Sequence, residues 1–196
     1  MTKARIWIAG TIVTAMASAL LLSGISAAGD NKALKDSIDK IAAALQKGDK
    51  DGAKNQAEAL AKKLEDVAEA MDLFKPRKKE GYGVGDKPGA VNPDGIEQML
   101  LKVGRDAPAA GFLNKESAAM EQMGYRIAAM GLIASAKGPP KVGAKGTAKD
   151  WNGWSNETVA GGLAIAEAAK AKGGANVKTA ATKLNNACNS CHTVFR

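Results

Sequence analysis

The sequence predicts an all-α protein, and three observations lead to this prediction. Alanine, the strongest helix former, occurs 39 times among 196 residues. Aromatic residues make up only 4% of the chain, too few for a core built from sheets. Apolar residues recur at the spacing of one helix face in several segments. Their order predicts an antiparallel four-helix bundle, up-down-up-down, with a long insertion at about 75–150 that carries an additional helix.

Residues 1–28 have the pattern of a secretory signal peptide. Lys3 and Arg5 precede a long uncharged stretch, and small side chains occupy the positions where a signal peptidase cleaves. We expect cleavage after Ala28 and export of residues 29–196 to the periplasm or otherwise outside the cytoplasm. The alternative is an uncleaved anchor, because the stretch is long enough to span a bilayer.

The export signal narrows the partners that a basic chain is expected to have. Removal of Lys3 and Arg5, and of no acidic residue, takes the formal net charge from +8 to +6. Nucleic acid is not an expected partner of an exported protein. The lysines are scattered, which favours a solvated surface biased toward acidic partners. No other segment is apolar enough to span a membrane, so no stable membrane insertion is expected after cleavage.

The first helical hairpin is predicted over residues 31–74. Gly48 ends its first helix, and Asp49 supplies an N-cap for the second. Pro76 stops the second helix, which is predicted to continue to Phe74. The apolar face of the first helix consists of Leu34, Ile38, Ile41 and Leu45.

The insertion at about 75–150 begins with a loop rich in glycine and proline and contains two helical segments. A short helix is predicted from Ile96 to Val103. A longer helix is predicted from about Lys115 to Ala136, with Asn114 as its N-cap. A Gly-Pro-Pro sequence that begins at Gly138 ends it.

The second hairpin is predicted over residues 155–196, with a short turn at Gly173-Gly174. Its last helix has an unbroken apolar face, so both cysteines are expected to face the core. That face consists of Val177, Ala181, Leu184, Cys188, Cys191 and Phe195.

The sequence Cys188-Asn189-Ser190-Cys191-His192 is the attachment pattern of c-type haem. Two thiols three residues apart lie on one side of a helix, where each can add to a vinyl group of one porphyrin. His192 follows the second thiol and brings an imidazole nitrogen to the iron as proximal ligand. His192 is the only histidine in the chain. The motif therefore predicts one covalently attached haem c.

A redox Cys-x-x-Cys pair, a disulfide and a metal site are the alternatives for the same cysteines. A thioredoxin-like motif opens a helix after a strand, whereas this motif lies near the end of the last predicted helix. One histidine and two cysteines lack a fourth zinc ligand.

The stretch from Cys188 to Arg196 resembles the class II c-type cytochromes, the group that includes cytochrome c prime. These proteins carry the motif at the end of their last helix and an aromatic-arginine pair after it, here Phe195-Arg196. The match extends back to about Trp151, and Leu73-Phe74-Lys75-Pro76 is similar to the stop of the family's second helix. The resemblance implies a four-helix bundle with haem in its core near one end. It also implies that Arg196 lies close to the solvent side of the histidine ligand.

The insertion leaves two interpretations of the distal side of the haem. If residues 31–47 supply it, no methionine or histidine is present there and the iron is five-coordinate. If residues 115–136 supply it, Tyr125-Arg126 followed by Met130 resembles the family's Tyr-Arg and distal residue. The resemblance then implies that Arg126 contacts haem and that Met130 is the sixth ligand. Methionines at helical spacing are also ordinary core fillers, and the further candidates are Met123, Met120 and Met71.

Three functions are compatible with such a haem protein. An electron carrier cycles its iron between the ferrous and ferric states, and a methionine ligand favours it. A five-coordinate iron with an apolar distal side favours binding of nitric oxide or carbon monoxide. A peroxidase-like enzyme needs a distal acid-base residue, and no second histidine is present. We expect a non-enzymatic electron carrier with protein redox partners. Relatives of this class are often homodimers, although the sequence identifies no interface.

Overall fold

A computed structural model describes residues 27–140 and 145–195, with side chains from residue 31 onward. Over these residues the chain forms α-helices and two short 3-10 helices, with no strand. The predicted all-α helical bundle is therefore confirmed. The signal segment, apart from its last residues, lies outside the described residues, and so does Arg196.

The long helices pack side by side to form the bundle. Helix α5 packs against α6, α1 and α2, while α7 packs against α6 and α4. The helix predicted within the insertion is therefore part of the bundle itself. The α-helices are α1 (Ala27–Gln46), α2 (Lys50–Ala61), α3 (Ala68–Met71), α4 (Ile96–Arg105), α5 (Ala110–Lys137), α6 (Ala148–Lys170) and α7 (Gly174–Phe195), and the 3-10 helices are Asp72–Phe74 and Arg77–Lys79.

The turn between α1 and α2 forms as the sequence predicts. Gly48 has a φ of +80°, in the left-handed region that glycine adopts without strain. The Asp49 side chain caps α2 by accepting a hydrogen bond of 2.8 Å from Gly52 N. These two residues reverse the chain, so that α1 and α2 pack against each other.

The predicted second helix is too long, because α2 ends at Ala61 and not at Phe74. Carboxylates bond to the backbone where the helix stops. Glu69 Oε1 accepts from the backbone N–H groups of Glu65 and Asp66, at 2.6 and 3.0 Å. Such local side-chain bonds compete with the helical ladder. The chain therefore leaves the helix before α3, which carries Met71.

Helices α5 and α6 approach each other closely along a seam of glycines. A Cβ atom on Gly162 would lie 2.5 Å from Ala128 N, and one on Gly124 would lie 2.6 Å from Gly162 O. A Cβ on Gly131 would lie 2.8 Å from Val159 N. Only glycine allows backbones to approach this closely. The seam fixes the position of α6 relative to α5.

Both of these helices begin earlier than predicted. Helix α5 starts at Ala110, so Asn114 lies inside it and is not its cap. Helix α6 starts at Ala148, where Thr147 and Asp150 form a reciprocal capping box. Thr147 Oγ1 accepts from Asp150 N at 3.2 Å, and Asp150 Oδ2 accepts from Thr147 N at 2.9 Å. The short helix predicted at residues 96–103 is confirmed as α4.

Among the helices of the described ranges, none has both the length and the apolar character needed to cross a membrane.

Candidate functional site

Helix α7 carries the whole Cys-x-x-Cys-His motif in its last turns. Val177 and Leu184 are buried on its inner face, and the two cysteines continue that face. Cys188 packs against the main core, while Cys191 packs against a smaller apolar cluster. Both thiols are free and partly buried. His192 lies next to Cys191 and is exposed.

The smaller cluster lies where α7 ends, and we call it the end cluster. It brings together one sulfur of the motif, two aromatic rings and residues of α3, α5 and α6. The Trp151 indole donates a hydrogen bond of 2.8 Å to Ala134 O, which ties α6 to α5 beside Cys191. The members of the end cluster are Val67, Ala134 and Trp151, which are buried, with Met71, Cys191 and Phe195 packed against them.

Aromatic contacts hold the last turn of α7 in place. Phe195 meets Trp151 edge to face, with ring centroids 5.1 Å apart, and meets Trp154 at 5.8 Å. The residues before α6 close over this turn, because a Cβ on Gly146 would lie 2.6 Å from the Phe195 ring. Lys145 N also donates to Val194 O at 3.3 Å. The motif is therefore attached to a well-packed helix end.

Burial favours the thiol form of both cysteines over the thiolate. Burial, with smaller contributions from the neighbouring Cys191 and Glu97, raises the pKa of Cys188 to about 11. Burial also raises the pKa of Cys191. A redox Cys-x-x-Cys pair needs a lowered thiol pKa, and thiolate metal ligands must lose their protons. Within the described ranges, no group of three or more His, Cys, Asp or Glu could hold a metal ion.

The residues at the end of α7 fit a covalently attached haem. Two protonated thiols project from one helix face, and an imidazole follows the second. Among the described residues, the side chains packed around Cys191 are apolar or aromatic, and none of the buried residues is a carboxylate. This donor set matches thioether attachment with one axial nitrogen ligand. Cys188, Cys191 and His192 are the residues that would hold the group.

The structure divides the candidate methionine ligands into two sets. Met120, Met123 and Met130 lie on α5 and are at most 1% exposed in the main core, against which Cys188 packs. Met71 is half-buried and belongs to the end cluster with Cys191. The sequence ranks Met71 last among these candidates. The break after α2 brings it to the end cluster.

Arg126 lies in a separate charged cluster and not with the cysteines. Its guanidinium donates two hydrogen bonds to the Asp39 carboxylate, at 2.7 and 3.2 Å. It also stacks over the Tyr82 ring, 4.2 Å from the centroid. These contacts tie α5 to α1 and to the loop before α4. The contact between Arg126 and haem stays a prediction.

Two features of the site have no local signature in the sequence. Trp154 and Phe195 meet only because α6 and α7 are antiparallel. Glu97 lies near Cys188 because α4 packs on α7. In contrast to these two features, the capping box formed by Thr147 and Asp150 could have been predicted from the sequence, because its two residues are three positions apart.

No family model, curated protein or solved structure matches this chain. The class II c-type cytochrome relationship therefore stays a hypothesis supported by the motif and by the helical bundle.

Proposed function

We propose that this protein is an exported mono-haem c-type cytochrome of the class II type, and that it carries electrons. One observation carries the proposal. Cys188 and Cys191 lie on the inner face of one helix, with His192 beside them, at an end of the bundle lined by apolar and aromatic side chains. This arrangement would provide two thioether attachments and one nitrogen ligand to a single haem.

The chain's own residues have distinct tasks in this proposal. Each cysteine would add its S–H across a vinyl double bond, so that sulfur bonds one carbon and hydrogen the other, with no oxidant consumed. His192 would bind the iron of such a haem through its imidazole nitrogen. Haem c, when bound, supplies a one-electron ferric/ferrous couple that accepts an electron from a reduced partner protein and returns it to an oxidised one. Trp151 and Phe195 exclude water on the Cys191 side.

Export is part of the same proposal, because this kind of haem is attached outside the cytoplasm. The segment of residues 1–28 provides the route, and the periplasm is the proposed location. The redox partners are proteins with acidic surfaces, since the exported chain has a formal net charge of +6. A homodimer is compatible with the proposal.

Binding of a diatomic gas is the second candidate, and the burial of Met130 favours it. Met130 is 0% exposed and packed on all sides in the main core. If it stays there, the iron keeps an open position that accepts nitric oxide or carbon monoxide. Coordination by Met130, or by Met71 from the end cluster, instead gives a six-coordinate iron suited to electron transfer.

Covalent attachment is tested by expressing the full chain with haem maturation machinery and staining a denaturing gel for haem. We expect haem on the wild-type protein and on the control Ser190→Ala, which changes an exposed residue between the cysteines. Each single variant, Cys188→Ala or Cys191→Ala, should keep haem attached through one thioether, and its pyridine haemochrome band should shift. The double variant retains no haem on the gel. Absence of haem from the wild-type protein would refute the proposal.

The visible spectrum of the dithionite-reduced protein, before and after carbon monoxide, separates the two candidates. Sharp α and β bands that carbon monoxide leaves unchanged indicate a six-coordinate electron carrier. A broad high-spin spectrum that shifts at once indicates the gas-binding alternative. Met130→Ala and Met71→Ala then identify the ligand, because only the ligand's variant converts the first spectrum into the second.

A further inference from the structure

Helix α4 packs on α7 in a defined antiparallel register. Thr182 Oγ1 donates a hydrogen bond of 2.9 Å to Gly104 O, and Asn185 Nδ2 donates one of 3.1 Å to Leu100 O. The helices touch at this point, since a Cβ on Gly104 would lie 2.7 Å from Asn185 Nδ2. A step back of one turn on α4 therefore corresponds to a step forward of one turn on α7.

The next turn in this register brings Glu97 opposite Cys188. Glu97 lies three residues before Leu100, and Cys188 lies three residues after Asn185. The electrostatics agree with the register, because the negative charge of Glu97 contributes to the raised pKa of the Cys188 thiol. The register of α4 on α7 thus places a carboxylate opposite the first cysteine of the motif.

Two other acidic groups, one before α4 and one at the start of α6, have partners of their own. Asp94, just before α4, forms an ion pair with Arg77 at 3.2 Å and accepts from Val84 N. Asp150, at the start of α6, is held by Thr147. Within the described part of the chain, Glu97 takes part in no ion pair. Its charge is therefore not compensated by a partner within contact distance.

We propose that the Glu97 carboxylate lowers the reduction potential of the haem held at Cys188. The inference rests on the proposed haem attachment and adds a residue that regulates it. Oxidation adds a positive charge to the iron centre, and a nearby negative charge stabilises the oxidised form. Because Glu97 is exposed, water and salt screen the interaction, and its effect is moderate and dependent on ionic strength.

The test compares Glu97→Gln with the wild-type holoprotein in a spectroelectrochemical titration at low salt. At a fixed ambient potential we expect Glu97→Gln to raise the ratio of reduced to oxidised haem about threefold, or about 28 mV at 59 mV per tenfold. Glu167→Gln is the matched control. Glu167 is exposed and lies in the last turn of α6, at the end of that helix away from Trp151, so its substitution should leave the ratio unchanged. The difference shrinks at high salt.

A second readout needs no haem. In the haem-free full-length protein, the pH dependence of Cys188 alkylation, followed by peptide mass analysis, reports the pKa of its thiol. Glu97→Gln lowers that pKa, and Glu167→Gln does not. If Glu97→Gln protein carries haem but its reduction potential is unchanged, the inference about Glu97 is overturned while the proposed function stands. An unchanged pKa of the Cys188 thiol in the haem-free Glu97→Gln protein has the same meaning. Wild-type protein without covalent haem overturns both.

Discussion

The seam between α5 and α6 is built from glycines, whereas the end cluster, a few turns away along the same helices, is built from aromatic and sulfur-bearing side chains. At the seam, the backbones of the two helices approach each other at buried glycines such as Gly124 and Gly162. At the end cluster, Met71, Cys191 and Phe195 are only partly buried.

Substitutions in the two regions should therefore have different consequences. A seam with no spare volume holds the helices in one register, so substitutions there change the free energy of unfolding. A cluster with partly exposed reactive atoms can accept a further group, so substitutions there change chemistry more than stability. The comparison predicts that the two effects can be separated by mutation.

The largest expected effect is at the seam. Gly162→Ala would place a Cβ 2.5 Å from Ala128 N and 2.6 Å from Gly124 O, so α5 and α6 must separate. We expect a loss of about 3 kcal/mol in the free energy of unfolding, the upper range for overpacking. Urea denaturation followed by circular dichroism measures it.

Gly153→Ala is the matched control on the same helix. A Cβ there meets nothing within 4 Å, and the residue is exposed. The same substitution should raise the free energy of unfolding by about 0.5–1 kcal/mol, since alanine is the better helix former. Equal losses in the two variants would contradict the close approach at the seam.

The next effect concerns the cysteines of the haem-free protein. Because the pKa of Cys188 is raised from 9.0 to about 11, its thiolate fraction at pH 7 falls about hundredfold, and alkylation slows in proportion. Peptide mass analysis after timed alkylation measures each cysteine, and the urea-unfolded chain is the control. A Cys188 pKa below 9 would instead support the redox Cys-x-x-Cys alternative.

A smaller effect is expected from the hydrogen bond within the end cluster that ties α6 to α5. Trp151→Phe removes the donor to Ala134 O, which still accepts from Gly138 N at 3.1 Å. We expect a loss of about 1 kcal/mol in the free energy of unfolding, as for one net hydrogen bond. Trp154→Phe keeps a ring against Phe195 and should cost less. Equal costs would mean that the bond contributes nothing.

Features that depend on local periodicity could be predicted from the sequence. The turn at Gly48 and Asp49 and the inner face of α7 with its two cysteines follow from residue spacing alone. The burial of Met130 follows in the same way. Each of these depends on residues within one helix or one turn, so neighbouring side chains suffice to determine it.

The rest depends on competition or on packing between distant segments. The end of α2 was mispredicted because the apolar spacing continues through Leu64 and Val67, while Glu69 bonds to the backbone and breaks the helix. The pairing of Arg126 with Asp39 joins residues 87 positions apart. No spacing rule reports such a contact, because it is set by the register of one helix on another.

The smallest effect is a dependence of stability on acid pH at the start of α6, beside the end cluster. Hydrogen bonds from Thr147 hold the pKa of Asp150 below its usual 3.8. A lowered folded-state pKa means that this stabilisation is present above the unfolded-state pKa and is lost as pH falls through the folded-state value. Asp150→Asn should therefore flatten the fall in urea midpoint between about pH 5 and pH 2. A fall as steep as in the wild-type protein would show that the capping box does not stabilise this end of the bundle.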